Sequence, residues 1–305
     1  MTRRNFGPYA FESSNENKIF FPDSNITKAD VIAYYEKIAD FMLPYLKDRP
    51  LILHRFPDGI EAEGFMQQQA GEYFPDWIPR ITVTKQDGKL THAVADKKAV
   101  LVYLADQGVI TFHALLSRAD KPKTPDRIVF DLDPPPEGDF DLVRTTALAL
   151  RNLLGELGLT AFVKTSGSKG LHIICPIARK ADFDRTRNFA GRVARYWASK
   201  HPDLITTEQR KERRKGRLFL DTARNTYGHS MVAPYSLRAR PGAPVATPLD
   251  WQEVEDKSLT PDRYTLANIF RRLAHKENPW EAMGRRAKDS AGPEKKLQEL
   301  LAEEK

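Results

Sequence analysis

The chain has 305 residues, 41% hydrophobic and 29% charged, a composition that suits a globular protein with ample length for a core. Its formal charge of +7 favours a polyanionic partner, without saying which polyanion. No apolar run reaches the roughly 18 residues of a membrane span, and Met1-Thr2-Arg3-Arg4-Asn5-Phe6 lacks the apolar core of a signal peptide, so the expectation is a cytoplasmic protein with no membrane partner. The single cysteine, Cys175, excludes an internal disulfide and reads as a small buried hydrophobe.

Residues 1 to 27 read as polar and irregular, broken by Pro8 and Pro22, with Lys18 just ahead of Ile19-Phe20-Phe21. Thr27 and Asp30 have the spacing of an N-cap and a reciprocal N3 acid, weaker than one closed by Glu. Val31, Ile32, Tyr35, Ile38, Ala39, Met42 and Leu46 then recur at helical spacing, predicting a helix to about Leu46. Leu51 to Phe56 reads as a strand ended by Pro57-Asp58-Gly59. A stretch bearing Phe65, Tyr73, Phe74 and Trp77 leads to two alternating runs, Ile81 to Thr84 and Leu90 to Val94, spaced as a β-hairpin. A helix from about Lys97 to Gln107 and a strand from Val109 to His113 follow.

Ile128-Val129-Phe130-Asp131-Leu132-Asp133-Pro134-Pro135-Pro136 is the next strand. With period two, Asp131 and Asp133 share a face, and the prolines, lacking the N–H a ladder needs, stop pairing and leave both acids at the sheet's mouth. Helices are predicted from Asp139 to Leu157, stopped by Gly158, and from Asp182 to Lys200. Strands are predicted at Ala161 to Lys164, Leu171 to Cys175 and Arg217 to Leu220, with a further helix near Thr260 to Ala274. The segment 288–305 reads as a charged, helix-prone, peripheral tail. Helices alternating with short strands, some in hairpins, predict an α+β fold in a single domain over 1–305.

Three constellations carry chemistry. Asp131 and Asp133, joined by Asp221 at the end of another strand, make an oxygen donor set suited to two Mg²⁺ or Mn²⁺ ions, although an isolated Asp-x-Asp is also a common turn. Lys164-Thr165-Ser166-Gly167-Ser168-Lys169-Gly170-Leu171-His172 is a Ser/Gly turn with donors fit for a triphosphate, or a plain hairpin turn; it is not a Walker loop. Arg210-Lys211-Glu212-Arg213-Arg214-Lys215-Gly216-Arg217 is either a solvated face or a phosphate-binding surface. Phe65, Tyr73, Phe74 and Trp77 could stack on bases or fill the core. Lys85-Gln86-Asp87-Gly88 matches a ligase Lys-x-Asp-Gly, but Leu90 stands where the arginine belongs, and the hairpin reading accounts for it.

On Val129 to Pro134, Thr165 to His172 and Phe219-Leu220-Asp221-Thr222-Ala223-Arg224-Asn225, the chain resembles the polymerase domain of the bacterial non-homologous end-joining ligase D, in the archaeo-eukaryotic primase superfamily. The resemblance implies a primase-like catalytic core of mixed and antiparallel sheets flanked by helices. It implies that Asp131, Asp133 and Asp221 bind two metals, and that Ser166, His172 and Lys169 contact nucleotide phosphates. It also places His113 at the sugar, and Arg214, Arg224 and Arg238 on nucleotide or DNA. Lys18 and Lys28 would grip a DNA 5′-phosphate, giving segment 1–27 an end-binding role, and Phe65 would stack on a base; many relatives have two adjacent phenylalanines where this chain has Phe65-Met66. Further implications are NTP or dNTP as substrate with ribonucleotides favoured, Ku and ligase modules as partners, and a place at the bacterial nucleoid. Two other classes remain: a non-catalytic module bridging DNA ends, and a haloacid-dehalogenase-like phosphatase, whose first Asp is a nucleophile.

Overall fold

The computed structural model describes residues 1–85, 88–136 and 138–303. In chain order the elements are β1 (Thr2–Phe6), β2 (Tyr9–Ser13), β3 (Ile19–Phe21), β4 (Ile26–Thr27), α1 (Lys28–Leu46), β5 (Leu51–Arg55), β6 (Phe65–Gln67), β7 (Arg80–Lys85), β8 (Gly88–Ala93), α2 (Lys98–Asp106), β9 (Val109–Leu115) and β10 (Arg127–Asp133). There follow α3 (Phe140–Glu156), β11 (Phe162–Thr165), β12 (Leu171–Pro176), α4 (Phe183–Lys200), β13 (Ile205–Thr206), β14 (Leu218–Asp221), β15 (Ser230–Val232), β16 (Pro248–Leu249), α5 (Trp251–Glu255), α6 (Ile269–Leu273) and α7 (Ala291–Ala302). They fall into two compact units. One comprises Met1–Asp120, Ser230–Ala246 and Tyr264–Lys276; the other comprises Lys121–His229, Thr247–Arg263 and Glu277–Lys305. The mixture of helices with mixed and antiparallel sheets is the α+β architecture the sequence predicts.

In the first unit a four-stranded sheet runs β15-β9-β5-β6. Helix α1 starts on a capping box. Thr27 Oγ1 accepts from the Asp30 amide at 3.2 Å, and Asp30 Oδ2 accepts from the Thr27 amide at 2.8 Å, so the shorter acid closes the box after all. All seven stripe residues of α1 are buried, joined by Tyr34, whose hydroxyl donates to the Tyr235 carbonyl at 2.7 Å. The segment 1–27 is not irregular throughout: β1 and β2 pair from Thr2↔Ser13 to Phe6↔Tyr9, because Gly7 takes the positive φ of 61° that the tight turn needs.

In the second unit a six-stranded sheet runs β13-β14-β10-β12-β11-β16. Strand β10 lies between β14 and β12, and its residues Ile128, Val129, Phe130 and Leu132 are fully buried. Both faces of β10 are therefore covered, and the strand ends at Asp133, where the prolines begin. Cys175 is fully buried in β12, where burial pushes its thiol well above the ordinary range, as expected of a packed hydrophobe.

Two predicted helices differ in the structure. The one near Thr260 to Ala274 is confined to α6, because the Val245 amide donates to the Tyr264 carbonyl at 2.8 Å and the Leu266 amide to the Ala243 carbonyl at 3.0 Å, which commits that backbone to an extended pairing. The tail segment is helical as predicted but docked. In α7 Pro293 and Leu297 are buried, Arg185 of α4 makes a two-pronged ion pair with Glu294 at 2.9 Å, and Ile177 bridges Lys288. The tip of the β7–β8 hairpin, Gln86-Asp87, lies outside the described residues, as do Glu137, Glu304 and Lys305.

Candidate active site

Antiparallel register sets the site of the second unit. Asp131 on β10 stands opposite Asp221 on β14 and opposite His172 on β12, and His172 stands opposite Lys164 on β11. Directly opposed residues share a face, so Asp221, Asp131, His172 and Lys164 form one row across four strands. Asp133 lies on the same face, one step further toward the strand end, opposite Phe219.

Asp131 is 4% exposed and Lys164 is fully buried. Arg224 Nε is 3.7 Å from Asp131 Oδ2, and His172 Nε2 is 3.3 Å from Asp131 Oδ1. Burial alone would raise the Asp131 carboxyl; His172, Arg224 and Lys164 outweigh it and hold it at about 2. Burial pushes His172 down to about 4, against the pull of Asp131, so the imidazole is neutral at pH 7. Asp133 behaves oppositely: burial and then the charges of Asp131 and Asp221 push it up to about 7. Asp221 is also raised, by burial first, while its Oδ1 accepts from the Ala223 amide at 2.7 Å.

These carboxylates repel one another, and Asp131 Oδ1 is buried without a hydrogen-bond partner. A hard cation would satisfy that oxygen and relieve the repulsion, so the donor set fits Mg²⁺ or Mn²⁺. Among the described residues, no three His, Cys, Asp or Glu side chains are drawn together into a ready-made cage.

The Ser/Gly turn leads into β12 beside this row. Ser166 Oγ accepts from the amides of Ser168 at 3.2 Å and Gly170 at 3.1 Å, so two of the donors expected for an anion brace the turn instead. Among the described residues the amides of Gly167 and Lys169 carry no hydrogen bond, Gly167 has a φ of 63°, and the Lys169 side chain is exposed. That is the pattern of a backbone nest for an anion. A Cβ at Gly170 would stand 1.9 Å from the Leu132 carbonyl oxygen, which only a glycine can tolerate. Gly170→Ala is expected to cost at least about 3 kcal/mol; an unchanged thermal melting curve would contradict the close approach.

Arg214 lies over the Phe219 ring, 3.7 Å from guanidinium carbon to ring centroid, with Nε and Nη2 donating to the Glu208 and Gln209 carbonyls at 3.1 and 2.9 Å. It is thereby held toward the Asp133 end of the row. One residue has a role that the sequence reading left unassigned. Asn225 is fully buried; its Oδ1 accepts from the Val129 amide at 2.9 Å, and its Nδ2 donates to the carbonyls of Val129 and Thr222 at 2.7 and 2.9 Å. It ties the loop bearing Arg224 to the strand bearing Asp131. Its place in Asp221-Thr222-Ala223-Arg224-Asn225 was the only sequence signal.

The remaining expected residues belong to the first unit. Lys18 and Lys28 line one cavity of about 230 Å³, with Ser14, Asn15, Arg55 and Asp106. Lys28 is buried and pairs with Asp106 at 2.7 Å while donating to the Ser14 carbonyl at 2.7 Å; Lys18 pairs with Asp58 at 2.6 Å. Phe65 is 47% exposed on β6, and Arg55 lies over its ring at 5.3 Å. Met66 is equally exposed and Tyr73 is 58% exposed, whereas Phe74 is buried and Trp77 packs on Tyr9 and Tyr103. His113 is half-buried on β9, and Arg238 lies in the same unit, where its charge adds to burial in lowering His54.

The family described as LigD, primase-polymerase domain, matches residues 27–280. This chain belongs to that family. It is 34% identical over 265 residues to the bifunctional non-homologous end joining protein LigD of Bacillus subtilis, covering 87% of this chain and 42% of that protein. It is 32% identical over 288 residues to the multifunctional protein LigD of Pseudomonas aeruginosa, covering 93% and 34%. The polymerase domain of Mycobacterium tuberculosis ligase D, in complex with DNA, superimposes with a TM-score of 0.86 at 30% identity, over 91% of this chain and 99% of that one. The chain thus spans a third to two-fifths of the length of these LigD proteins but the whole of a solved LigD polymerase domain. Among the described residues no helix is long and apolar enough to cross a membrane.

Proposed function

We propose that this primase-polymerase domain is a template-directed nucleotidyltransferase that fills gaps and extends DNA ends during non-homologous end joining, with Ku and ligase modules as partners and ribonucleotides as preferred substrates. The observation that carries the reading is the cross-strand row Asp221, Asp131, His172 with Asp133 beside it. The family and the DNA-bound M. tuberculosis relative supply the substrate class, and the charge of +7 suits it.

Asp131, Asp133 and Asp221 would hold divalent cations, which when bound lower the pKa of the attacking 3′-hydroxyl and offset charge on the leaving pyrophosphate. The nest at Gly167 and Lys169, with the Lys169 ammonium, binds the triphosphate. Neutral His172 offers a phosphate oxygen a hydrogen bond rather than a charge. Arg224 and Arg214 place positive charge beside the acids, which keeps Asp131 ionised and draws the polyanionic substrates in. His113 and Arg238 are assigned to the nucleotide, and Phe65 to a base, on the strength of the resemblance.

The testing experiment is primer extension on a gap with a 5′-phosphate, comparing NTP with dNTP and Mg²⁺ with Mn²⁺. Incorporation with release of pyrophosphate is expected. Release of inorganic phosphate would point to a phosphatase, and end binding without incorporation would point to a bridging module. The structure favours neither: Asp131 is buried in a row with Asp221 and His172 rather than standing exposed as a lone nucleophile, and the acid row is intact.

Lys18 and Lys28, on one cavity, are proposed to receive the 5′-phosphate. Lys18→Ala is expected to weaken binding of 5′-phosphorylated gaps by about fivefold to tenfold, the value of one charge-assisted contact. Equal weakening on 5′-hydroxyl gaps, read by fluorescence anisotropy, would remove the assignment.

A further inference from the structure

We propose that the cavity between α4 and the C-terminal end of β14 seats the sugar-phosphate backbone of the attacking strand next to its 3′-hydroxyl, with Arg187 and Arg195 as the phosphate contacts. The inference rests on the nucleotidyltransferase reading. The cavity has a volume of about 440 Å³, and its lining includes Arg187, Asn188, Arg195, Thr207 and Gln209 and reaches Asp221 itself.

Arg187 and Arg195 are exposed on one face of α4, eight residues and so about 12 Å apart along its axis. That spread matches a chain of phosphates better than a single one. The neighbouring arginines are spent on the protein: Arg185 on Glu294, Arg214 on the Glu208 and Gln209 carbonyls, and Arg217 on the Arg214 and Pro202 carbonyls. Arg187 and Arg195 make no hydrogen bond or ion pair among the described residues. Asp184 and Asp221 also line the cavity, yet neither pairs with these guanidiniums. Between the two arginines stands Gly191. A Cβ there would meet Arg195 Nη1 at 3.2 Å and Thr222 Oγ1 at 4.0 Å, so a larger side chain at this position would enter the cavity.

Sheet order gives the direction. Asp131 lies on β10; the Ser166 turn and His172 lie to one side, on β11 and β12, and Asp221 with the cavity lies to the other, on β14. An in-line displacement needs the attacking oxygen opposite the leaving group. With the pyrophosphate on the β12 side, the strand that attacks must enter from the β14 side, where this cavity is.

The test is Arg187→Gln/Arg195→Gln, alongside Gly191→Gln, which fills the cavity without removing a charge. In primer extension, KM for the primer is expected to rise about tenfold in both variants while KM for the nucleotide stays within about twofold; at about 0.7 per phosphate contact on a single strand, the salt slope of the arginine variant should become shallower by about 1.4. An unchanged primer KM in both variants, or an equal rise in nucleotide KM, overturns the proposal. If the unsubstituted chain incorporates nothing, the nucleotidyltransferase reading fails by itself. The cavity is then read by titrating a 5′-hydroxyl single strand, whose affinity falls in the arginine variant if the site exists and does not move if it is absent.

Discussion

Replacing Asp131 and Asp133 together with alanine is expected to lower nucleotide incorporation on a gapped primer by at least about a thousandfold, while binding of the DNA end falls by no more than about twofold. The two acids are unequal. Asp131 is buried in the row, held at about 2 by His172, Arg224 and Lys164, and its Oδ1 has His172 Nε2 at 3.3 Å but no well-aligned hydrogen bond among the described residues. Asp133, pushed up to about 7 by burial and by its acidic neighbours, stands at the open end of β10. Removing both takes away two of the three carboxylates and leaves Arg224 and Lys164 without their counter-charge. Anion attraction to this face therefore persists or grows, which separates lost chemistry from lost binding. Incorporation at the unsubstituted rate would end the assignment, and so would loss of end binding in step with activity. A thermal melt checks that the variant is folded, and relief of repulsion at Asp133 favours that outcome.

Asn225→Ala is expected to be the most damaging substitution that touches no substrate. It would leave the Val129 amide and carbonyl without partners in a fully buried place, each worth about 1–3 kcal/mol. At about 2–4 °C per kcal/mol for a domain of this size, the melting temperature should fall by roughly 4–24 °C. Asn225 also fixes the loop between Asp221 and Arg224 to the strand two residues before Asp131, so incorporation should fall by about a hundredfold below the unfolding transition, the scale of a misplacement near 1 Å. Asn225→Asp is the discriminating control. Its carboxylate can still accept from the Val129 amide but cannot donate to the Val129 carbonyl, and it adds a buried acid on the loop that follows Asp221. It should recover part of the stability and little of the activity. A variant that melts as the parent does would show that Asn225 is not the tie between β14 and β10.

How much was legible in the sequence depended on whether the information was local. The α1 stripe, the Thr27 box, the proline stop after Asp133 and the hairpin of β7 and β8 are consequences of period and turn chemistry within a few residues, and the structure has them. Segment 1–27 reads as irregular because β1 is polar and β2 is short; the alternation of Tyr9, Phe11 and Ser13 acquires meaning only when Tyr9 packs on Trp77 and Phe11 on Tyr103. The helix near Thr260 was overlong because the backbone there is claimed by a partner from Ala243 to Val245, and no local propensity reports that.

At the site the same division holds. The sequence by itself determined that Asp131 and Asp133 share a face, that Asp221 ends another strand, and that a Ser/Gly turn precedes His172, since each is a matter of period two or of turn composition. Only the tertiary structure decided that Asp221 and His172 lie directly opposite Asp131, because register is set by long-range pairing and a one-residue slip would have turned each to the other face. It likewise decided that Ser166 braces its turn, that Lys164 is buried at the row's end, that Asn225 is the tie, and that Arg187 and Arg195 were left unspent beside Asp221. Spacing along a chain cannot show which polar groups have found partners; only packing settles where each donor and acceptor is used.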